Sequence, residues 1–161
     1  MIDKDAFCEK IMENEKAMYS LAFSVVKNDA DAAEVLSESI YRAYKNLDTL
    51  KSVKSFKPWI LRIVHNTAVE LIRKDSKVIP IQEVEASQAV PVKDDTSIAL
   101  RSAVESLKQP YRTVVVLYYY ENLSTGQIAE VTNSTAIAVK QQLSRARKML
   151  RELLKEDFKN E

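Results

Sequence analysis

The chemistry-bearing residues of this chain concentrate in its last third. Residues 134–151, STAIAVKQQLSRARKMLR, hold five Lys/Arg and no Asp/Glu. Ala136, Val139, Leu143, Ala146 and Leu150 recur at helical spacing and define a face to be buried. Lys140, Gln141, Ser144, Arg145, Lys148 and Arg151 lie largely away from that face. Cations, amides and a hydroxyl on one side of a helix suit the major groove of DNA, where Arg, Lys and Gln read base edges and other groups hold phosphates. On these residues alone, an ordinary amphipathic hairpin with a solvated basic face stays open.

The residues just upstream are those that would position such a helix. Ser124 and Gln127 fit a capping box, and Leu123 and Ile128 fit the hydrophobic staple around it. Thr132-Asn133-Ser134 reads as a turn, because Asn is one of the few non-glycine residues that accept positive φ. Ser134 or Thr135 can cap the next helix. Residues 124–150 therefore read as a helix-turn-helix with a basic second helix.

The totals exclude several classes. The chain has 161 residues, 46% of them apolar, enough for one medium domain or two small ones. Cys8 is the only cysteine and His65 the only histidine, so neither a disulfide framework nor a cysteine-based zinc site is possible within the chain. The natural compartment is a reducing cytoplasm. No secretory leader opens the chain, and no apolar run approaches the ~20 residues that span a bilayer. A single glycine argues against phosphate-cradling loops and turn-rich β folds. No nucleophile–base pair, metal cluster or cofactor motif stands out, which makes an enzyme the least favoured class and leaves no cofactor to expect. Net charge is only +1, but its distribution is uneven: residues 1–41 are net −5, residues 42–74 net +6, and residues 76–95 net −2. An acidic stretch followed by a basic one points to two different partners. Solvated faces with no partner would give the same counts.

Taken in order, residues 3–27 read as a first helix with a stripe of Phe7, Ile11, Met18, Leu21, Ala22 and Val25. Lys27-Asn28-Asp29 breaks it, and Asp29 or Asp31 can cap the second helix. Residues 31–47 form that second helix, which buries Val35, Leu36, Ile40, Ala43 and Leu47 and leaves Asp31, Glu34 and Glu38 on an acidic exposed side. Tyr41 and Tyr44 are read as core or boundary residues. Residues 48–57 make a short basic loop. Pro58 is placed as the first residue of a third helix, where its missing N–H costs nothing. That helix, residues 58–74, buries Trp59, Ile60, Ile63, Val64, Ala68, Leu71 and Ile72, with Arg62, Asn66, Arg73 and Lys74 left for an anionic partner. His65 is read as a polar surface or boundary group rather than a metal ligand or base.

Residues 76–95, with Pro80, Pro91 and an acidic excess, read as an extended linker; a short strand at 78–81 is the competing reading. The expected fold is all-α: two small helical domains, 1–75 and 96–161, joined by that linker. A helix near 96–107 presents Ile98, Leu100, Val104 and Leu107. Residues 113–120, TVVVLYYY, have strong β propensity. Helix is preferred, since Pro110 fits a first turn, Asn122 can end the element, and no partner strand is near. Residues 154–161 are expected to fray.

Three stretches together bring a family into view. ADAAEVLSESIYRAYKNL resembles the second conserved helix of bacterial sigma factors. SFKPWILRIVHNTAVELIRK resembles their promoter-melting and minus-ten helix. LKQPYRTVVVLYYYENLSTGQIAEVTNSTAIAVKQQLSRARKMLREL resembles their minus-thirty-five-binding domain. Order, linker and size are similar to the extracytoplasmic-function (ECF) group of the sigma-70 family, over about residues 5–154. The resemblance implies that residues 31–47 dock on the clamp helices of core RNA polymerase through Asp31, Glu34, Glu38 and Arg42. It implies that the loop with Lys51, Lys54 and Lys57 captures a flipped minus-ten base, and that Arg62, His65, Asn66, Arg73 and Lys74 line promoter DNA beside it. Lys140, Gln141, Ser144 and Arg145 would enter the minus-thirty-five groove, with Arg147, Lys148 and Arg151 on DNA, phosphate or the polymerase flap. An anti-sigma factor, often membrane-anchored, is a further implied partner; no small-molecule substrate is.

The chain departs from the pattern at a few positions. Asn133 stands where the turn usually has Gly, Gly126 where an acid is usual, Gln142 where a base is common, and Ser37 and Ser39 replace more usual residues of the docking helix. Two other readings compete. A stand-alone helix-turn-helix regulator would explain residues 124–150 but not the Trp59 helix or the charge switch near residue 42. An all-helical adaptor would need no DNA at all.

Overall fold

A computed structural model describes residues 2–75 and 95–159. Residues 76–94 lie outside the described residues, and with them most of the expected linker and the competing strand at 78–81. The described residues are all-α, with seven helices and no strand among them. Helices α1 (Lys4–Val26), α2 (Asp29–Lys45) and α3 (Phe56–Asp75) form one compact unit, and most of α4 (Asp95–Ser106), α5 (Tyr111–Val115), α6 (Thr125–Thr132) and α7 (Ala136–Lys159) forms another.

In the first unit each helix packs on the other two. Asp3 caps α1 by accepting from the Ala6 N–H at 2.8 Å. All six expected stripe residues of α1 are buried. Lys27, at φ 62°, ends the helix in the left-handed conformation, its N–H bonded to the Phe23 carbonyl at 2.9 Å. That abrupt stop leaves Asn28 as the extended residue, so Asn28, not Asp29 or Asp31, caps α2; its Oδ1 accepts from the Asp31 N–H at 2.8 Å. The core is filled by Phe7, Met18, Leu21, Val35, Phe56, Ile60, Leu61 and Val64.

Several sequence expectations are corrected here. α3 starts at Phe56, two residues before Pro58, which occupies its first turn. Leu61 is buried where it was not expected, and Ile72 is 41% exposed where burial was expected. The buried face runs through Phe56, Ile60, Leu61, Val64 and Ala68, and residues 72–75 of the last turn are exposed. Tyr41 and Tyr44 are exposed rather than core, Tyr41 lying beneath Lys45 Nζ at 4.9 Å and Tyr44 beside Phe7.

In the second unit α7 packs on α4 and α5. Val104, Leu107, Val115, Val116 and Ala146 form a cluster, with Tyr111, Met149, Leu150 and Leu153 against it. Ile98 and Leu100 are exposed, so the buried face of α4 is set by Ala103, Val104 and Leu107. The β-prone run continues α5 as a π-helical turn, Val116–Tyr120, ended by Asn122 at φ 58°. α7 runs to Lys159.

Candidate nucleic-acid interface

The helix-turn-helix is built from local bonds that its sequence announces. Ser124 N–H donates to Gln127 Oε1 at 2.9 Å, and Gln127 N–H donates to Ser124 Oγ at 3.1 Å, the reciprocal capping box. Leu123 and Ile128 are both buried beside it. Asn133 makes the turn at φ 56°. Thr135 then caps α7, its Oγ1 accepting from the Ala138 N–H at 3.1 Å. Val139, Leu143 and Ala146 are buried, which fixes the rotation of α7 about its axis. Lys140, Gln141, Ser144, Arg145 and Lys148 are consequently all exposed. Residues spaced by three, four and seven share a helix face, so these five form one polar, cationic strip.

Arg147 is placed differently. Its Nε donates to Tyr119 Oη at 2.5 Å, and its guanidinium lies 5.7 Å from the ring centres of both Tyr118 and Tyr119. Those rings meet edge to face, 4.9 Å apart. The π-helical turn supplies both of them. Arg147 is thereby held on the tyrosines beside the cationic strip.

In the first unit, two short 3-10 turns, Leu47–Thr49 and Val53–Ser55, order the basic loop. Trp59 Nε1 donates to Thr49 Oγ1 at 3.0 Å and ties the loop to α3, while the Ser52 hydroxyl accepts from the Lys54 N–H at 3.2 Å. Lys51 and Lys54 are exposed on this pinned loop and Lys57 is half-buried. On α3, Arg62, Arg73 and Lys74 are exposed, and His65 and Asn66 are half-buried. His65 Nδ1 has no hydrogen-bond partner among the described residues, and burial holds the imidazole below its usual pKa, so the ring is neutral near pH 7.

The acidic side of α2 carries Glu34 and Glu38, both exposed. Asp31 is half-buried and engaged locally, accepting from Asn28 Nδ2 at 2.8 Å. Arg42 sits between two carboxylates: its Nε pairs with Glu38 at 3.0 Å and its Nη2 with Glu70 of α3 at 2.8 Å. Pairing with Glu70, against the opposing effect of burial and with help from Glu38, raises its pKa. An open groove runs beside this trio, lined also by Glu34, Thr67 and Lys74.

Three residues that the structure sets apart are not singled out by the sequence: Glu70 and Tyr119 by their pairing, and Ile137 by its exposure. Glu70 had a signal, as the sole acid of 49–74 amid cations. Tyr119 had none, since its partner is far along the chain. Ile137 is an apolar residue outside the buried stripe of its helix, and it is 71% exposed. Among the described residues, no group of His, Cys, Asp and Glu could hold a metal ion, and no helix is long and apolar enough to cross a membrane.

Known proteins share this arrangement. Residues 11–78 match the family profile "Sigma-70 region 2" and residues 97–150 match "Sigma-70, region 4". The chain is 33% identical to the RNA polymerase sigma factor SigV of Bacillus subtilis, over 92% of this chain and 91% of that protein. It is 29% identical to the ECF sigma factor SigW of the same organism, over 96% and 91%. In fold it is similar to the sigma factor RpoE of Bartonella quintana, solved with the anti-sigma factor NepR, at a TM-score of 0.78, 23% identity and coverage of 95% and 98%. The chain belongs to the sigma-70 family of RNA polymerase sigma factors, in its extracytoplasmic-function group.

Proposed function

We propose that this chain is an alternative sigma factor: a dissociable subunit that docks on core RNA polymerase, directs it to a particular set of promoters and begins strand separation. The observation that carries this is the region 2 match followed by the region 4 match within one chain, together with a relative matched along nearly the whole length of both proteins. The subunit does no covalent chemistry of its own. It supplies binding free energy, and the polymerase catalyses synthesis. It works where the polymerase works, in the cytoplasm.

The division of labour follows the charge pattern. Residues 1–75 would form the docking and minus-ten domain, 76–95 the linker, and 96–161 the minus-thirty-five domain. Glu34 and Glu38, exposed on α2, would meet the clamp helices, with Asp31 and Arg42 fixing the helix start and its pairing to α3. Lys51, Lys54 and Lys57 on the pinned loop would hold the strand around an extruded base, a step whose unstacking costs a few kcal/mol and must be offset by such contacts. Arg62, Asn66, Arg73 and Lys74 would follow the backbone upstream, with His65 as a neutral boundary group. Lys140, Gln141, Ser144 and Arg145 would read the minus-thirty-five groove and Lys148 would hold phosphate. Arg147, engaged by Tyr119, would support α7 from its flank. Two solved relatives in fold are bound to anti-sigma factors, NepR and CnrY, which supports regulation of this chain by a partner of that kind.

The test is run-off transcription. The protein is mixed with sigma-free core on a promoter library and the transcripts are sequenced. Specific starts downstream of a shared two-part element are expected. An absence of both starts and core binding would overturn the reading in favour of a stand-alone helix-turn-helix regulator.

A further inference from the structure

A single exposed aliphatic residue is ordinary on a protein surface. Ile137 is set apart by its neighbours. It is the second residue of α7 and 71% exposed. Lys140, Gln141, Ser144 and Lys148 come after it at intervals of three, four, seven and eleven, so Ile137 heads the same exposed strip. Every other member of that strip is cationic or hydrogen-bonding, and no acidic side chain interrupts residues 134–151. A face of this composition is complementary to duplex DNA, and in helix-turn-helix docking the N-terminal residues of the second helix are those that reach base edges.

The position is also rigid. Thr135 Oγ1 accepts from the Ala138 N–H at 3.1 Å, and the Thr135 carbonyl accepts from the Val139 N–H at 3.0 Å, so Ile137 lies inside a capped first turn. A β-branched side chain in a helix has one dominant χ1 rotamer. Its branch point and γ2-methyl are therefore held in place before any partner arrives, and little χ1 freedom is lost on contact. The major groove offers one apolar group at a base edge, the C5-methyl of thymine.

From these observations we infer that Ile137 is a specificity-determining residue: its side chain packs on the C5-methyl of a thymine in the minus-thirty-five element. Lys140 and Arg145 supply attraction and polar readout, whereas Ile137 distinguishes thymine from cytosine at one base pair. The inference rests on the reading of α7 as the minus-thirty-five helix and names one of its recognition elements.

The experiment uses the full chain with core polymerase on a promoter selected in the run-off assay. Each thymine of the minus-thirty-five element, on either strand, is replaced in turn by deoxyuridine, which removes the methyl group and leaves the hydrogen-bonding edge intact. Open-complex formation is expected to fall about fourfold at one position, the factor that corresponds to losing one buried methyl group. Ile137→Ala is expected to lose a similar factor on thymine DNA and to be indifferent to uracil there. Lys140→Ala is expected to be weaker throughout and to keep the uracil step. The wild type insensitive to uracil at every position, or Ile137→Ala as sensitive as the wild type, would overturn the inference and leave the sigma-factor reading standing. Initiation indifferent to every base change in the element would instead remove the minus-thirty-five assignment, and this inference with it. Because Ile137 is exposed, an unchanged melting temperature verifies that Ile137→Ala is folded.

Discussion

Two surfaces, one in each unit, handle their cations in opposite ways. On α2 and α3, Arg42 is held between Glu38 and Glu70, so the charge is fixed in position and largely neutralised. On α7, among the described residues, no ion pair involves Lys140, Arg145 or Lys148, and no acid lies within 134–151. The difference fits the partner proposed for each surface. DNA carries a dense, repeating negative charge with condensed counterions, and a protein gains by presenting cations that displace them. A folded protein partner presents mixed charge at fixed points, where defined geometry and pre-paired groups favour one orientation over others. The α7 strip thus has the arrangement that favours a polyanion, whereas Arg42 is held at fixed points.

Substitutions should break this contrast in a definite order. The largest effect is structural. Leu143 is 1% exposed and sets the rotation of α7, so Leu143→Ala should cost about 2–5 kcal/mol of stability. Thermal or denaturant melting reads this, and promoter use should fall with folding rather than with a change of sequence preference. Next come the exposed cations. Lys140→Ala and Arg145→Ala should each weaken promoter use by about 1–3 kcal/mol, with melting and core binding unchanged, whereas Glu34→Lys should weaken core binding and spare binding to an isolated minus-thirty-five duplex. If both sets lost only stability, the contrast would dissolve.

Glu70→Gln should act more weakly. The side chains of Arg42 and Glu70 are 36% and 56% exposed, so solvent screening limits the pair to about 1 kcal/mol or less. The expected signature is a changed salt dependence of core binding, measured by titration at two ionic strengths. An unchanged salt dependence would show that the pair is incidental. The smallest effect is electrostatic and local. Tyr19 donates its hydroxyl to Asp29, and that bond, with burial and the nearby carboxylate, pushes its pKa up from 10.0 to about 12. The folded chain holds this proton more tightly than the unfolded one, so the contact's contribution is present below pH 10 and is lost as pH rises toward 12. Ultraviolet titration should find one late-ionising tyrosine, and Asp29→Asn should return it toward the ordinary range.

Much of the fold was legible because its signals are local. The α1 stripe, the Ser124–Gln127 capping box and the Asn133 turn each involve residues within a few positions of one another, and each forms as read. The failures share the opposite property. Ile98, Leu100 and Ile72 look like core by type alone, but their helices turn other residues inward. Glu70 and Tyr119 reach partners 28 positions away, Arg42 and Arg147 respectively, and no periodicity encodes such a meeting.

The left-handed residues have a consequence for the unfolded chain. Lys27, Asn122 and Asn133 each end a helical segment at positive φ, in a sequence with a single glycine. A glycine at position 133 would relieve about 1 kcal/mol of steric cost in the folded turn. It would also widen the conformational freedom of the denatured chain, which disfavours folding by about 0.4–1 kcal/mol. The two nearly cancel. Asn133 therefore costs little net stability relative to glycine, because the freedom it removes from the denatured chain offsets the steric cost it carries in the folded turn.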